Sequence, residues 1–153
     1  MLFRSVNKLG APLEVYWPYI ISRFATRPST QATADAAKRK VTAYQRCLNF
    51  AAVKAALAAG NPVVIGFDVY ESFEGTVNNT TGQMPYPNVN TEQLLGGHAV
   101  CLVGYNDTTQ RFIARNSWGT GWGDNGYFYM PYQVIQNTSM SSDFWTMSSV
   151  TNP

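Results

Sequence analysis

Gly96-Gly97-His98-Ala99-Val100-Cys101-Leu102-Val103-Gly104-Tyr105 runs into Asn106-Asp107-Thr108-Thr109-Gln110 and comes back as Arg111-Phe112-Ile113-Ala114-Arg115-Asn116-Ser117-Trp118-Gly119. The first run, from His98 on, is apolar and β-branched and reads as a buried strand. The Asn/Asp/Thr-rich segment reads as a turn, and residues 111–115 read as the returning arm of a hairpin. His98, the sole histidine of the chain, starts one arm, and Asn116 ends the other. Antiparallel pairing sets the start of the first strand beside the end of the second. The eighteen-residue separation therefore closes into side-by-side neighbours, within hydrogen-bond reach if the two side chains face the same way.

Beyond Asn116, Gly119, Gly121, Gly123 and Gly126 flank Trp118 and Trp122 and give way to Tyr127-Phe128-Tyr129-Met130, a fourth strand. Residues 143–150 read as a last edge strand. Upstream, Pro62-Val63-Val64-Ile65-Gly66-Phe67-Asp68-Val69-Tyr70 is a buried strand by its β-branched and aromatic content. Before it, residues 49–59 form a helix. Asn49 is its N-cap, Phe50, Val53 and Leu57 share a face, Gly60 supplies the left-handed stop, and Pro62 blocks continuation. The Ala- and charge-rich region predicts a further helix near residues 32–40. Residues 10–27, aromatic and broken by Pro12 and Pro18, read as extended loop. Residues 71–93, rich in Gly, Asn, Thr and Pro, read as a long surface loop.

The 153 residues suit one domain or a substantial part of one, and 45% hydrophobic content supports a packed core. The net charge of +2, with no dense Lys/Arg run, argues against nucleic acid and against anionic membrane surfaces. Lys38-Arg39-Lys40 is expected on a solvated face. No apolar stretch is long enough to span a bilayer, and the first residues lack the apolar core of a secretion signal. The compartment stays open. Two cysteines, Cys47 and Cys101, do not build a disulfide framework and favour a reducing one. Asn78, Asn79, Asn106 and Asn137 head Asn-x-Ser/Thr triplets, which chance also produces in such loops. One histidine and two scattered cysteines offer no metal-ligand spacing, so no metal is expected. Asp68 and Glu92 have no paired carboxylate and are assigned ordinary surface roles.

Taken in order, Gly96-Gly97-His98-Ala99-Val100, Val103-Gly104-Tyr105, Asn116-Ser117-Trp118-Gly119, Trp122-Gly123 and Gly126-Tyr127 resemble the second half of papain-like cysteine peptidases. Glu14 with Tyr16-Trp17-Pro18-Tyr19 is similar to that family's Glu-x-x-Tyr-Pro-Tyr region, and Asn61-Pro62-Val63 to its Gly-Pro-Val start of a core strand. The resemblance covers most of the chain, from about residue 10 to about residue 132. It implies an α+β fold: a twisted antiparallel sheet curling toward a barrel, with helices at its edge. Residues 1–45 would be the tail of the nucleophile-side domain, and residues 46–153 the β-rich domain that bears the histidine and the asparagine.

The resemblance also implies a chemistry: peptide-bond hydrolysis through a thiolate–imidazolium pair and a thioester intermediate, with no cofactor. His98 would be the base and acid, and Asn116 would orient it. Trp118 would shield their hydrogen bond, Trp122 would wall the leaving-group side, and Gly97 would line the cleft. The family's Gln…Cys-x-x-Cys-Trp segment has no counterpart here. Cys101 lies three residues from His98 on a strand, so alternation points it to the other face, and it is expected to be a core thiol. Cys47 has no nucleophile motif around it and is expected to be structural. The chain is therefore expected to be the later part of a papain-like peptidase, inactive alone. Alternatives are half of a split enzyme completed by a partner chain, or a non-catalytic module that kept the cleft wall. Expected partners are a peptide or protein substrate in the completed site, and a partner chain or a second copy on an exposed apolar face.

Overall fold

The computed structural model describes residues 2–151. These fall into two compact units, Arg46–Thr146 and a smaller one made of Met1–Gln45 with Met147–Pro153.

The smaller unit holds α1 (Leu2–Lys8), α2 (Thr30–Ala36) and all but the last residue of β1 (Val41–Arg46). Ser29 caps α2 by accepting the Ala32 N–H at 3.1 Å. Asp35, buried on the same helix, accepts from Arg39 at 2.6 Å and from the Leu13 N–H at 2.9 Å, and this pins the extended segment before the helix. Arg39 is thus an ion-paired side chain rather than part of a purely solvated basic face. The predicted helix near residues 32–40 is shorter and earlier than expected, and β1 follows it where no strand was predicted. Its Val41-Thr42-Ala43-Tyr44 pattern is masked in sequence by the alanine and lysine run before it. Residues Met147–Pro153 group with this unit rather than with the larger one. Thr151 bonds Lys40 in both directions, and the Thr42 and Ser149 hydroxyls meet at 2.6 Å.

The larger unit is built on strands β2 (Val63–Tyr70), β3 (Leu94–Asn106), β4 (Arg111–Arg115), β5 (Tyr127–Pro131) and the first part of β6 (Ser141–Val150), in the sheet order β6-β2-β3-β4-β5. With β1 there are six antiparallel strands in an open sheet. β6 was expected at an edge, but it lies between β1 and β2. Residues alternate strictly along β2, with Val63, Ile65, Phe67 and Val69 buried. They meet Val100 and Leu102 of β3, Phe112 and Ala114 of β4, and Phe128 and Met130 of β5 in one core. The period-two side-chain rule sends the intervening residues to the other face.

Helix α3 (Phe50–Ala58) covers this core. Asn49 caps it, its side-chain oxygen accepting the Ala52 N–H at 2.9 Å, and Gly60 leaves it at φ +80°. Val53 is fully buried, with Phe50 and Leu57 packed partly beside it. The segment between β2 and β3 is less irregular than its composition predicts. It contains a 3-10 turn at Glu71–Glu74 and the short helix α4 (Thr76–Thr81). A last short helix, α5 (Tyr132–Gln136), follows β5 and also went unpredicted.

Candidate active site

His98 Nε2 and Asn116 Oδ1 are 2.9 Å apart. A β-bulge makes that contact possible. Near the turn Asn106 pairs with Arg111, Tyr105 with Phe112 and Gly104 with Ile113, but farther along Leu102 pairs with Ala114 and Cys101 with Arg115. Val103 is the extra residue. Without the bulge Val103 would take the place opposite Ala114 and Asn116 would fall opposite Cys101, on the face away from His98, because a one-residue slip reverses every side chain. With it, Asn116 falls opposite Val100, on the core-facing side shared by His98, Val100 and Leu102. Bulges re-aim side chains in this way next to functional sites. The Asn116 N–H also donates to the Gly126 carbonyl at 2.9 Å, which fixes the backbone at the end of β4.

The amide orientation of Asn116 follows from chemistry. Its Oδ1 lies 2.8 Å from the Ser117 N–H, which can only donate, so that atom is the oxygen. The same oxygen faces His98 Nε2, which must then carry the proton. In the neutral ring Nδ1 keeps its lone pair and is the basic nitrogen. Asn116 is 8% exposed, and its Nδ2 is buried with no acceptor among the described residues. Such an orphan donor costs about 1–3 kcal/mol. The asparagine is thus held for its oxygen at the expense of its nitrogen.

Trp118 stacks on the imidazole, with ring centroids 5.1 Å apart and planes 29° apart. The residue is also partly open to solvent, being 42% exposed. Trp122 stands edge-on to Trp118 at 5.1 Å, and buried Phe73 contacts both indoles at 5.6 Å. A half-dry aromatic wall therefore covers one side of the His98–Asn116 bond, where a hydrogen bond is stronger than in water.

Asn79 on α4, marked in sequence only as the head of an Asn-x-Thr triplet, is a site-shaping residue. Its Oδ1 accepts the Trp122 indole N–H at 2.7 Å, its carbonyl accepts the Gly123 N–H at 2.7 Å, and its Nδ2 donates to the Glu74 carbonyl at 2.8 Å. Gly123 has φ +60°, and a side chain there would meet the Tyr127 carbonyl at 2.5 Å, so the turn carrying Trp122 demands glycine. Glu92, assigned a plain surface role from sequence, instead closes the segment from Glu71 to Gln93. Its two oxygens accept from the Ser72 N–H at 3.0 Å and the Asn88 N–H at 2.7 Å. Hydrogen bonds from Ser72, and then from Asn88, hold its carboxyl below the usual range.

Neither thiol faces the imidazole. Cys101 points to the opposite side of β3, as alternation predicts, but it is half-buried there rather than in the core. Burial raises its pKa, only partly offset by the Arg115 charge. Cys47 is the core thiol, 5% exposed, and burial raises its pKa as well. Low-pKa nucleophilic cysteines need the opposite environment.

A shallow hollow of about 430 Å³ opens beside His98, lined by Phe67, Asp68, Gly97, Ala99 and the residues leading into β6. Nothing stands within 4 Å of where a Gly97 side chain would begin, so the bare backbone leaves the hollow open. Asp68, also assigned a surface role from sequence, lies on its wall. Among the described residues no group of three or more His, Cys, Asp or Glu could hold a metal ion, and no helix is long and apolar enough to cross a membrane.

The sequence model of the papain family cysteine proteases matches residues 3–147. The chain belongs to the papain family. Within it, the chain is 39% identical to an uncharacterized peptidase C1-like protein of Acanthamoeba polyphaga mimivirus, over 98% of this chain and 51% of that one. It is 38% identical to a cathepsin B-like protein of Giardia intestinalis, over 53% of this chain and 26% of the relative. Among solved structures it resembles xylellain, a cysteine protease from Xylella fastidiosa, with 39% identity, a TM-score of 0.84, and coverage of 96% of this chain and 59% of that one. The chain thus spans about half the length of the mimivirus relative and a smaller share of the Giardia one. The papain-like α+β architecture expected from the hairpin motifs is the architecture found.

Proposed function

We propose that residues 1–153 supply the acid–base half of a papain-type peptidase site, with His98 as the proton carrier, Asn116 as its orienter and Trp118 as its cover. The observation that carries this reading is the doubly occupied Asn116 oxygen. It takes the Ser117 N–H and the His98 Nε2–H together, and it leaves Nδ1 as the basic atom.

In this reading the nucleophilic thiol is neither Cys47 nor Cys101 and lies outside residues 1–153. Its S–H proton passes to His98 Nδ1, and the thiolate adds to the peptide carbonyl. Nδ1 returns the proton to the leaving amine, and water then hydrolyses the thioester. The hollow beside Gly97 and Asp68 supports a role in receiving a substrate side chain next to the histidine. In the smaller unit, exposed Leu13, Val15, Tyr19, Ile20, Ile21 and Phe24 support contact with the nucleophile-bearing part of such an enzyme, since apolar surface of that extent is seldom left bare.

The test joins or co-produces residues 1–153 with a papain-family segment that bears the Gln and Cys-Trp motif. Thiol-dependent cleavage of a fluorogenic peptide amide should appear, and His98→Ala should reduce it by roughly 10²–10⁴. Residues 1–153 alone should show no turnover. Undiminished cleavage in His98→Ala, or turnover by the chain alone that Cys47→Ala abolishes, would overturn the reading.

A further inference from the structure

At the other end of β4 from Asn116, a second hollow of about 330 Å³ is lined by Arg111, Tyr86, Gln110, Tyr132, Gln133 and Gln136, among others. We propose that it binds a small oxyanion, a carboxylate or a phosphate group, on the guanidinium of Arg111.

Arg111 is half-buried and makes no ion pair among the described residues. Its Nη1 donates to two carbonyls, Met84 at 2.7 Å and Tyr129 at 2.6 Å. These are dipoles, and they leave the charge uncompensated. Burial lowers the pKa of the guanidinium, the sign of a cation short of solvation. Arginine carries five N–H donors in a planar fork, and the Nη2 and Nε edge has no partner among the described residues. That edge matches the paired oxygens of a carboxylate or phosphate.

The surroundings favour an anion over a cation. No Asp or Glu lines the hollow. The two carboxylates that touch its neighbouring tyrosines are already engaged. Asp107 takes the Lys54 ammonium and the Tyr132 hydroxyl, and Asp124 takes the Tyr129 hydroxyl. Gln133 and Gln136 project from one face of α5, exposed and without side-chain bonds among the described residues, so their amides are free to donate. The frame is rigid. Arg111 pairs with Pro131 across β4 and β5, and the Tyr132 N–H donates to the Gln110 carbonyl at 3.0 Å.

The experiment is calorimetric titration of the 153-residue chain with inorganic phosphate and, separately, with succinate. Saturable binding of at least one is expected, about ten-fold or more weaker in Arg111→Gln and partly retained in Arg111→Lys, which keeps the charge but not the fork. Tighter binding of phosphate names a phosphate ligand, and tighter binding of succinate a carboxylate. Arg111 also holds two carbonyls, so its variants can lose structure. The Gln133→Ala/Gln136→Ala double variant removes only free side chains and should weaken binding several-fold at unchanged melting temperature. No saturable binding of either anion, or binding that neither Arg111→Gln nor the double glutamine variant weakens, would overturn the proposal. If Arg111→Gln does not fold, unchanged binding in the double variant overturns it alone.

Discussion

His98 and Asn116 share the core-facing side of the sheet because Val103, between them in sequence, pairs with nothing across the β3–β4 ladder. The 2.9 Å contact thus depends on Val103 standing outside the ladder, remote from both ends of the contact.

Deleting Val103 should therefore leave the contact in place, because Leu102 then adjoins Gly104 directly and still pairs with Ala114. Val103→Ala keeps the residue count and, at a 45% exposed position, should change stability by no more than about 0.5 kcal/mol. The deletion straightens the ladder with Val100 and Leu102 still facing the core and Asn116 still opposite Val100. Chemical denaturation and the imidazole NMR signals check this. A folded deletion variant in which the His98–Asn116 bond is lost would refute the bulge argument.

Asn79 should matter to the aromatic wall without touching His98. Asn79→Ala leaves the Trp122 indole N–H without its acceptor and is expected to cost roughly 1–3 kcal/mol in urea unfolding. It should also shift the indole proton resonance of Trp122. An unchanged indole resonance would mean that the wall is held by packing alone.

Glu92 gives the segment between β2 and β3 an acid-sensitive closure. Its folded pKa lies below its unfolded one, so its contribution is complete above the unfolded carboxyl value, about 4.3, and is lost as the pH falls through the folded value. Tryptophan fluorescence should report loosening of the Phe73–Trp118–Trp122 contacts over that acid range, and Glu92→Gln should flatten the transition. An identical acid profile in the variant would remove Glu92 from the account.

At alkaline pH the sign reverses. Burial raises the pKa of both thiols, so the folded chain holds those protons more tightly than the unfolded chain does. Their contribution is complete below the ordinary thiol value, about 8.5, and declines as the pH rises through the folded values. Cys47→Ala/Cys101→Ala should lower stability at pH 7 but reduce the further loss on going to pH 10. A parallel decline in the variant would indicate other titrating groups.

Much of this site was legible in sequence. The motifs around His98, Asn116, Trp118 and Trp122 place all four residues, and β-branched patterning marks β2, β3 and β4. Three features were not. The bulge at Val103 leaves no composition signal, since Leu-Val-Gly reads equally well as an unbroken strand. Asn79 and Glu92 act through backbone and indole contacts that depend on how the segment between β2 and β3 folds back. The same folding buries Asn78 completely, its Nδ2 donating to the Phe73 carbonyl at 2.5 Å, so the triplet it heads is no surface glycan site. β1 was hidden because an alanine- and lysine-rich run dominates the local pattern, and β6 was placed at an edge because nothing local reveals a strand's neighbours.

The orientation of His98 is the centre of the proposal, and the chain has no other histidine to confuse its signals. Long-range nitrogen–proton NMR of the imidazole, recorded where the ring is neutral, tests it most directly. The expected spectrum shows a protonated Nε2 and a bare Nδ1, with the preference lost in Asn116→Ala. A protonated Nδ1, or a tautomer mixture that Asn116→Ala does not change, would contradict it.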